Sequence, residues 1–157
     1  MPAGSGRLWL CGKHFIAPDP EAALTEVGAS GVVCLNDTAE LIPRYPRYVE
    51  WLRANRPDRV IWHPVPDLGA PTLAEAVTLL LDIRSRLAVG SSLVAHCGAG
   101  MGRAGTVAAG LLVTMGVPVK EAVWRVGAHR PMAGPQSGSQ TDLLVALAAV
   151  TGEGSPR

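Results

Sequence analysis

An α/β fold, with a central and mostly parallel sheet flanked by helices, is what this sequence predicts, and three observations carry it. Short apolar runs, "GVVCL", "RVIWHPV" and "SSLVAH", alternate with longer segments of helical periodicity. Hydrophobic residues make up 48% of the 157, enough for a sizeable core. Only 4% are aromatic, so that core is built mostly of Ala, Val and Leu. The length fits a single domain over residues 1–157, ordered over roughly 7–150, with the "MPAGSG" and "GEGSPR" ends outside the packed part.

Taken in order, "RLWLCGKHFI" alternates weakly and reads as one or two edge strands. Asp19 before Pro20 is a helix N-cap with proline in the first turn, and Gly28 is the stop. "GVVCL" is a continuous apolar run of the kind a buried parallel strand needs. A helix is expected from about Tyr45 to Asn55, and "RVIWHPV" supplies the next strand. Thr72 and Glu75 form a capping box, followed by Leu73, Ala76, Val77, Leu80, Leu81 and Leu87 on one helical face. After the "SSLVAH" strand, a helix starts near Arg103 and ends at Gly116. Pro118 opens another, and Leu143, Leu144, Leu147 and Val150 mark a last amphipathic helix.

The totals exclude several function classes. A formal net charge of +1 gives no support to nucleic acid or an anionic membrane as partner. Cys11, Cys34 and Cys97 lie far apart with no CxxC pair, so neither a zinc site nor a disulfide framework is indicated. The longest apolar segment, "AGTVAAGLLVTMGVPV", is broken by Gly110, Gly116 and Pro118 and falls short of a membrane span. No charged n-region leads into a long apolar stretch at the start. The expectation is a soluble cytoplasmic protein that uses no metal and no cofactor.

Chemistry concentrates in "LVAHCGAGMGRAGTVAAG", residues 93–110. Gly100, Gly102 and Gly105 satisfy G-x-G-x-x-G between a strand and a helix, which raises a dinucleotide site. That reading also needs a second strand ending in an acid about 20 residues on. The corresponding Glu121 falls inside a helix, and no Gly-Lys-Ser/Thr makes a P-loop. The other reading begins with Cys97 and Arg103, which bracket Gly98, Ala99, Gly100, Met101 and Gly102. A loop of such small side chains can curl with its N–H groups inward at a helix N-terminus, forming an anion cradle. Arg103 would clamp a phosphoryl group there in bidentate fashion, and Cys97 at the foot would lie in the positive field that favours a thiolate.

His96-Cys97 through Arg103 resembles the H-C-x-x-G-x-x-R signature of the cysteine-dependent protein tyrosine phosphatases. The short chain and its Gly-rich loop are most similar to the compact, cell-cycle-type members of the dual-specificity branch. The resemblance implies a phosphatase-type α/β fold and hydrolysis of phosphotyrosine, with phosphoserine and phosphothreonine also open, through a cysteinyl-phosphate. It implies a phosphorylated protein as substrate. It also assigns His96 a role in holding the thiolate through the backbone.

Such chemistry needs an acid for the leaving oxygen. Asp67, in "WHPVPDLGAPT", follows a strand and precedes a helix–strand crossover that ends at Cys97. Parallel strands joined in this way end on one sheet edge, where α/β proteins bind ligands. The segment also resembles the family's acid loop. In "AHRPMAGPQSGSQ", Gln136 matches the family's water-orienting glutamine, with Gln140 as the alternative, against a plain polar loop. Arg130 reads as a loop brace rather than a substrate ligand.

Arg44, Tyr45, Arg47 and Tyr48 are either a rim for a phosphopeptide or a solvated helix start. Cys34, and more weakly Cys11, is either core or a redox partner for Cys97. His14, His63 and His129 read as structural or solvent-facing. One position departs from the family: Ala104 stands where it normally has Ser or Thr, whose hydroxyl steadies the departing sulfur. The phosphatases of regenerating liver, slow members of the class, share that alanine. The resemblance therefore implies slow clearance of the phosphoenzyme, or, as the alternative, a phospho-residue binding module with little turnover.

Overall fold

Residues 6–154 are described by the computed structural model, so most of the two expected unordered ends lies outside the described residues. The chain enters through β1 (Leu8–Gly12), then turns into the short helix α1 (Lys13–Ile16) rather than a second edge strand. Ile16 is the reason: its side chain is fully buried, and one helical turn drives it into the core. Asp19 caps α2 (Pro20–Val27) by accepting from the Ala22 N–H, and Gly28 ends it in the left-handed region at φ 71°. Next come β2 (Gly31–Cys34), the one-turn α3 (Thr38–Leu41), α4 (Pro46–Asn55) and β3 (Val60–Trp62). Both hydrogen bonds of the expected Thr72–Glu75 capping box are in place at the start of α5 (Leu73–Ala88). The rest is β4 (Leu93–Cys97), α6 (Gly102–Thr114), α7 (Val119–His129) and α8 (Gly138–Gly154).

The four described strands are all parallel, in the order β1-β4-β2-β3, so β1 is the edge strand expected. Side chains alternate across this sheet and divide the core in two. Val33, Leu35, Leu93, Ala95 and Cys97 face α5, α6 and α8, meeting Leu80, Ile83, Val107 and Leu144. Val32, Cys34, Val94 and Cys11 face the opposite way, against Ile16, Leu24, Tyr48 and Leu52. Both faces are covered, which is why the strands read as apolar runs and not as alternations.

Three expectations are corrected. The buried stripe of α5 is Ala76, Leu79, Leu80, Ile83 and Leu87, while Leu81 points to solvent at 59% exposure. Leu143, Leu144 and Leu147 bury α8, but Val150 is exposed, at the edge of a surface groove it shares with Val77, Leu81, Arg84 and Thr114. Tyr48 belongs to no rim: its ring is buried in the second core face. The regular β3 is also shorter than its apolar run, although the N–H groups of His63 and Val65 still donate to Cys34 O and Leu35 O, on either side of Pro64.

Candidate active site

Parallel strands bring their carboxyl ends to one edge, and there the chain places α1, α3, the Asp67 loop and the loop between β4 and α6. The last of these is the cradle. Its carbonyls are turned outward, and each from Gly98 to Gly102 is taken by a hydrogen bond. Gly98 O accepts from the Lys13 N–H at 3.2 Å, and Met101 O accepts from the N–H groups of Gly105 and Gly134. Arg130 donates from Nη2 to Ala99 O at 2.9 Å and from Nε to Gly100 O at 2.8 Å. Thr106 Oγ1 donates to Gly102 O at 2.7 Å.

With the carbonyls committed, the N–H groups from Gly98 through Ala104 have no protein acceptor among the described residues. They form a ring of donors at the N-terminus of a 13-residue helix, an arrangement that attracts an oxyanion. Gly100 is obligatory here. It sits at φ 75°, and a side chain on it would strike the backbone of Cys11 and Gly12. Arg130 is therefore the loop brace that its position suggested.

Cys97 ends β4 at the floor of this loop, 3% exposed. Arg103 lies on the first turn of α6 and is 5% exposed. Its guanidinium is fixed by a bidentate pair with Glu40, at 2.7 and 2.9 Å, and by a 2.8 Å bond from Nη1 to Val65 O. Burial alone would disfavour its charge, but the Glu40 carboxylate outweighs this and raises its pKa. Burial likewise pushes Glu40 up, and the Arg103 guanidinium, with the Asp37 N–H and the Asn36 amide, reverses the sign and holds it below its ordinary value. Two of those partners come from the loop after β2: Asp37 and Glu40 cap α3 reciprocally, and Asn36 Nδ2 donates to Glu40 Oε2 at 3.0 Å. Glu40 escaped the sequence reading. Its signal was an Asp-x-x-Glu capping box directly after a buried strand, at the edge where the Arg103 loop also ends.

His96 precedes the nucleophile candidate and is wholly buried. Its Nε2 meets the Tyr48 hydroxyl at 2.7 Å. Burial, aided by the Arg103 charge, pushes its pKa down to about 3, so the ring is neutral. Tyr48 thus supports the ring that precedes Cys97, from the core.

Asp67 stands at the opposite wall. Its side chain is 79% exposed, with Oδ1 3.9 Å from Arg103 Nη2 and accepting from the Leu68 N–H at 3.0 Å. Asp67 and Cys97 thus lie at one edge of the sheet, across a crossover that skips β2 in the sheet order. Gln136 overhangs the cradle: a Cβ on Gly102 would fall 2.5 Å from Gln136 Oε1. Gln140 is elsewhere, 0% exposed and bonded at both ends of its amide.

Other candidates separate from the site. Cys34 and Cys11 pair in register with His96, on the face of the sheet away from Cys97, and burial pushes both thiols up to about 12. The sheet backbone thus lies between them and the Cys97 side chain. Arg44 and Arg47 are exposed, and Arg44 lies 5.7 Å over the Tyr45 ring, whose hydroxyl meets His14 Nδ1 at 2.6 Å. Among the described residues no cluster of His, Cys, Asp and Glu could hold a metal ion, and no helix is long and apolar enough to cross a membrane.

Comparison with known proteins matches residues 14–148 to the family profile described as PTP-SAK, Swiss Army Knife protein, DSP-PTPase phosphatase domain. No curated protein sequence matches. Among solved structures, Tk-PTP in its active form is 26% identical, with a TM-score of 0.71, covering 94% of this chain and 97% of that one. PTPMT1 is 20% identical at a TM-score of 0.76, covering 94% and 92%. Human DUSP28 is 18% identical at a TM-score of 0.74, covering 99% and 97%.

Proposed function

The chain belongs to the DSP-PTPase phosphatase domain family, and from that premise we propose that it hydrolyses phosphomonoesters, phosphotyrosine in proteins first among them, through a cysteinyl-phosphate. The observation that carries the reading is the loop from Gly98 to Arg103, with its carbonyls bonded outward, its N–H groups free and Cys97 beneath them.

In the first step Cys97 Sγ attacks phosphorus in line. The S–P bond forms as the P–O bond breaks, and Asp67 gives its proton to the leaving oxygen. The N–H ring and the free edge of the Arg103 guanidinium take up the equatorial oxygens, whose charge they match without rearrangement. In the second step water attacks phosphorus, Asp67 takes its proton, and the S–P bond breaks to release phosphate. Gln136, overhanging Gly102, orients that water.

Ala104 bears on the second step alone. It is fully buried and carries no hydroxyl to donate to the departing sulfur. A hydrogen bond to a charged group contributes about 1.5–3 kcal/mol, or up to about a hundredfold in rate. Clearance of the phosphoenzyme is therefore the slow step. Rapid-quench kinetics on an aryl phosphate should give a burst of product, and Ala104→Ser should raise the rate that follows it. A linear time course that the serine leaves unchanged overturns this.

Ala104 also favours a second reading, a phospho-residue binding module that turns over little. Hydrolysis of an aryl phosphate that disappears in Cys97→Ser supports the enzyme; phosphopeptide binding without any such hydrolysis supports the module. The buried, unpaired state of Cys11, Cys34 and Cys97 fits a reducing cytoplasmic setting. Ala99 and Met101, where extra cations would be needed, argue against a polyphosphoinositide substrate.

A further inference from the structure

Gln140 is the buried polar side chain that the proposed chemistry leaves unused. It is 0% exposed, yet both ends of its amide are bonded. Nε2 donates to Gly69 O at 3.0 Å, and Oε1 accepts from the Gln136 N–H at 2.7 Å. The first contact lies in the loop that carries Asp67, and the second in the backbone of the residue that overhangs the cradle.

Val65, at the start of the acid loop, is tied to Leu35 O and to Arg103, but the turn beyond it is held differently. Pro66 to Gly69 is a tight turn, closed by the Gly69 N–H on Pro66 O at 2.8 Å, and Leu68 in it is forced to φ 61°. A non-glycine residue in the left-handed region is strained and persists only where its surroundings over-determine it. Those surroundings come from α8 and the residues before it. Ser137 and Ser139 donate to Leu68 O at 2.7 and 3.2 Å, and Gln140 adds the bond to Gly69 O. The Asp67 side chain itself is mostly in solvent, so its aim is set by this backbone.

We infer that Gln140 is a positioning residue that sets the aim of Asp67 and the height of Gln136 together, coupling the groups used in the two chemical steps. The inference rests on the phosphatase reading above. It separates from a purely structural role because the two arms of the amide act on different kinetic phases. The Gly69 arm affects phosphoryl transfer only where the leaving group needs a proton. The Gln136 arm affects clearance of the phosphoenzyme whatever the leaving group was.

Rapid-quench kinetics with phenyl phosphate and dinitrophenyl phosphate tests it, since the dinitrophenolate leaves without a proton. In Gln140→Met the burst rate on phenyl phosphate should fall about tenfold, a part of the roughly 100- to 10,000-fold that general acid–base catalysis supplies. The burst rate on dinitrophenyl phosphate should hold, and the rate after the burst should fall equally for both esters. Gln140→Glu keeps the acceptor for Gln136 and loses the donor to Gly69, so only its phenyl phosphate burst should slow. Ser139→Ala should show the same selectivity in weaker form, with the buried amide untouched. Equal losses in every phase and on both esters, or none, overturn the inference and leave the phosphatase reading standing. A wild-type chain without Cys97-dependent hydrolysis overturns both.

Discussion

Arg103 and Asp67 face each other 3.9 Å apart, and they are held in opposite ways. Arg103 is buried and anchored by three bonds to Glu40, on α3 directly after β2, and to Val65 O, just beyond β3. Asp67 is largely exposed, and its one bond is to its own neighbour. The phosphate-holding wall is thus part of the core, while the acid wall is a turn kept in place from outside by α8. Binding geometry and proton delivery should therefore fail separately.

The largest effect comes from breaking the acid wall alone. Asp67→Asn should lower kcat on phenyl phosphate by about 100- to 10,000-fold, while vanadate affinity, read by competition, stays within a few-fold. A matching loss of vanadate binding would show that the two walls are one unit. Next, Glu40→Ala strands the Arg103 charge inside. Breaking a wholly buried pair costs about 3–5 kcal/mol. Glu40 keeps 25% exposure, so a loss of about 2–3 kcal/mol is expected in denaturant unfolding. Vanadate should recover part of it by giving the guanidinium a new partner. An unfolding curve identical to wild type sinks the anchor.

Acid sharpens the comparison further, because the buried wall carries its own titration. His96 stays neutral in the folded chain down to about 3, against an ordinary value of 6.5. Between those values the unfolded chain binds the extra proton, so stability falls as pH is lowered through that window. The loss from this group reaches about 2 kcal/mol by pH 5. His96→Asn should flatten the slope of unfolding free energy against pH there, and an unchanged slope would assign the acid sensitivity elsewhere.

The sheet, its parallel sense and the cradle were legible because each rests on a local signal: buried apolar runs, a capping box at Thr72, a Gly-rich turn closed by Arg103. What escaped rests on contacts between elements. Glu40 is an ordinary capping acid until Arg103, 63 positions later, is brought against it. Tyr48 reads as polar beside Arg44 and Arg47, but α4 places it with Val49 and Leu52 on the buried face, against the His96 ring. Leu81 and Val150 err in the opposite sense: hydrophobic periodicity marks a stripe but not its width, and both stand at the edge of one surface groove outside the core. Gln140 reads in the sequence as the alternative to Gln136 for orienting water, and only its complete burial and its two bonds give it a different place.

The outward carbonyls of the cradle tie the anion site to the completeness of the fold. Lys13, Arg130 and Gly134 reach the same six-residue stretch from both ends of the chain. An isolated "HCGAGMGR" segment has no reason to turn its N–H groups to one side, so the anion site depends on those segments being docked. An oxyanion that recognises it binds the finished molecule and nothing earlier. Phosphate or vanadate at a hundred times its dissociation constant should then add about 2.7 kcal/mol to stability, making a simple salt a gauge of how much of the chain has reached its final form.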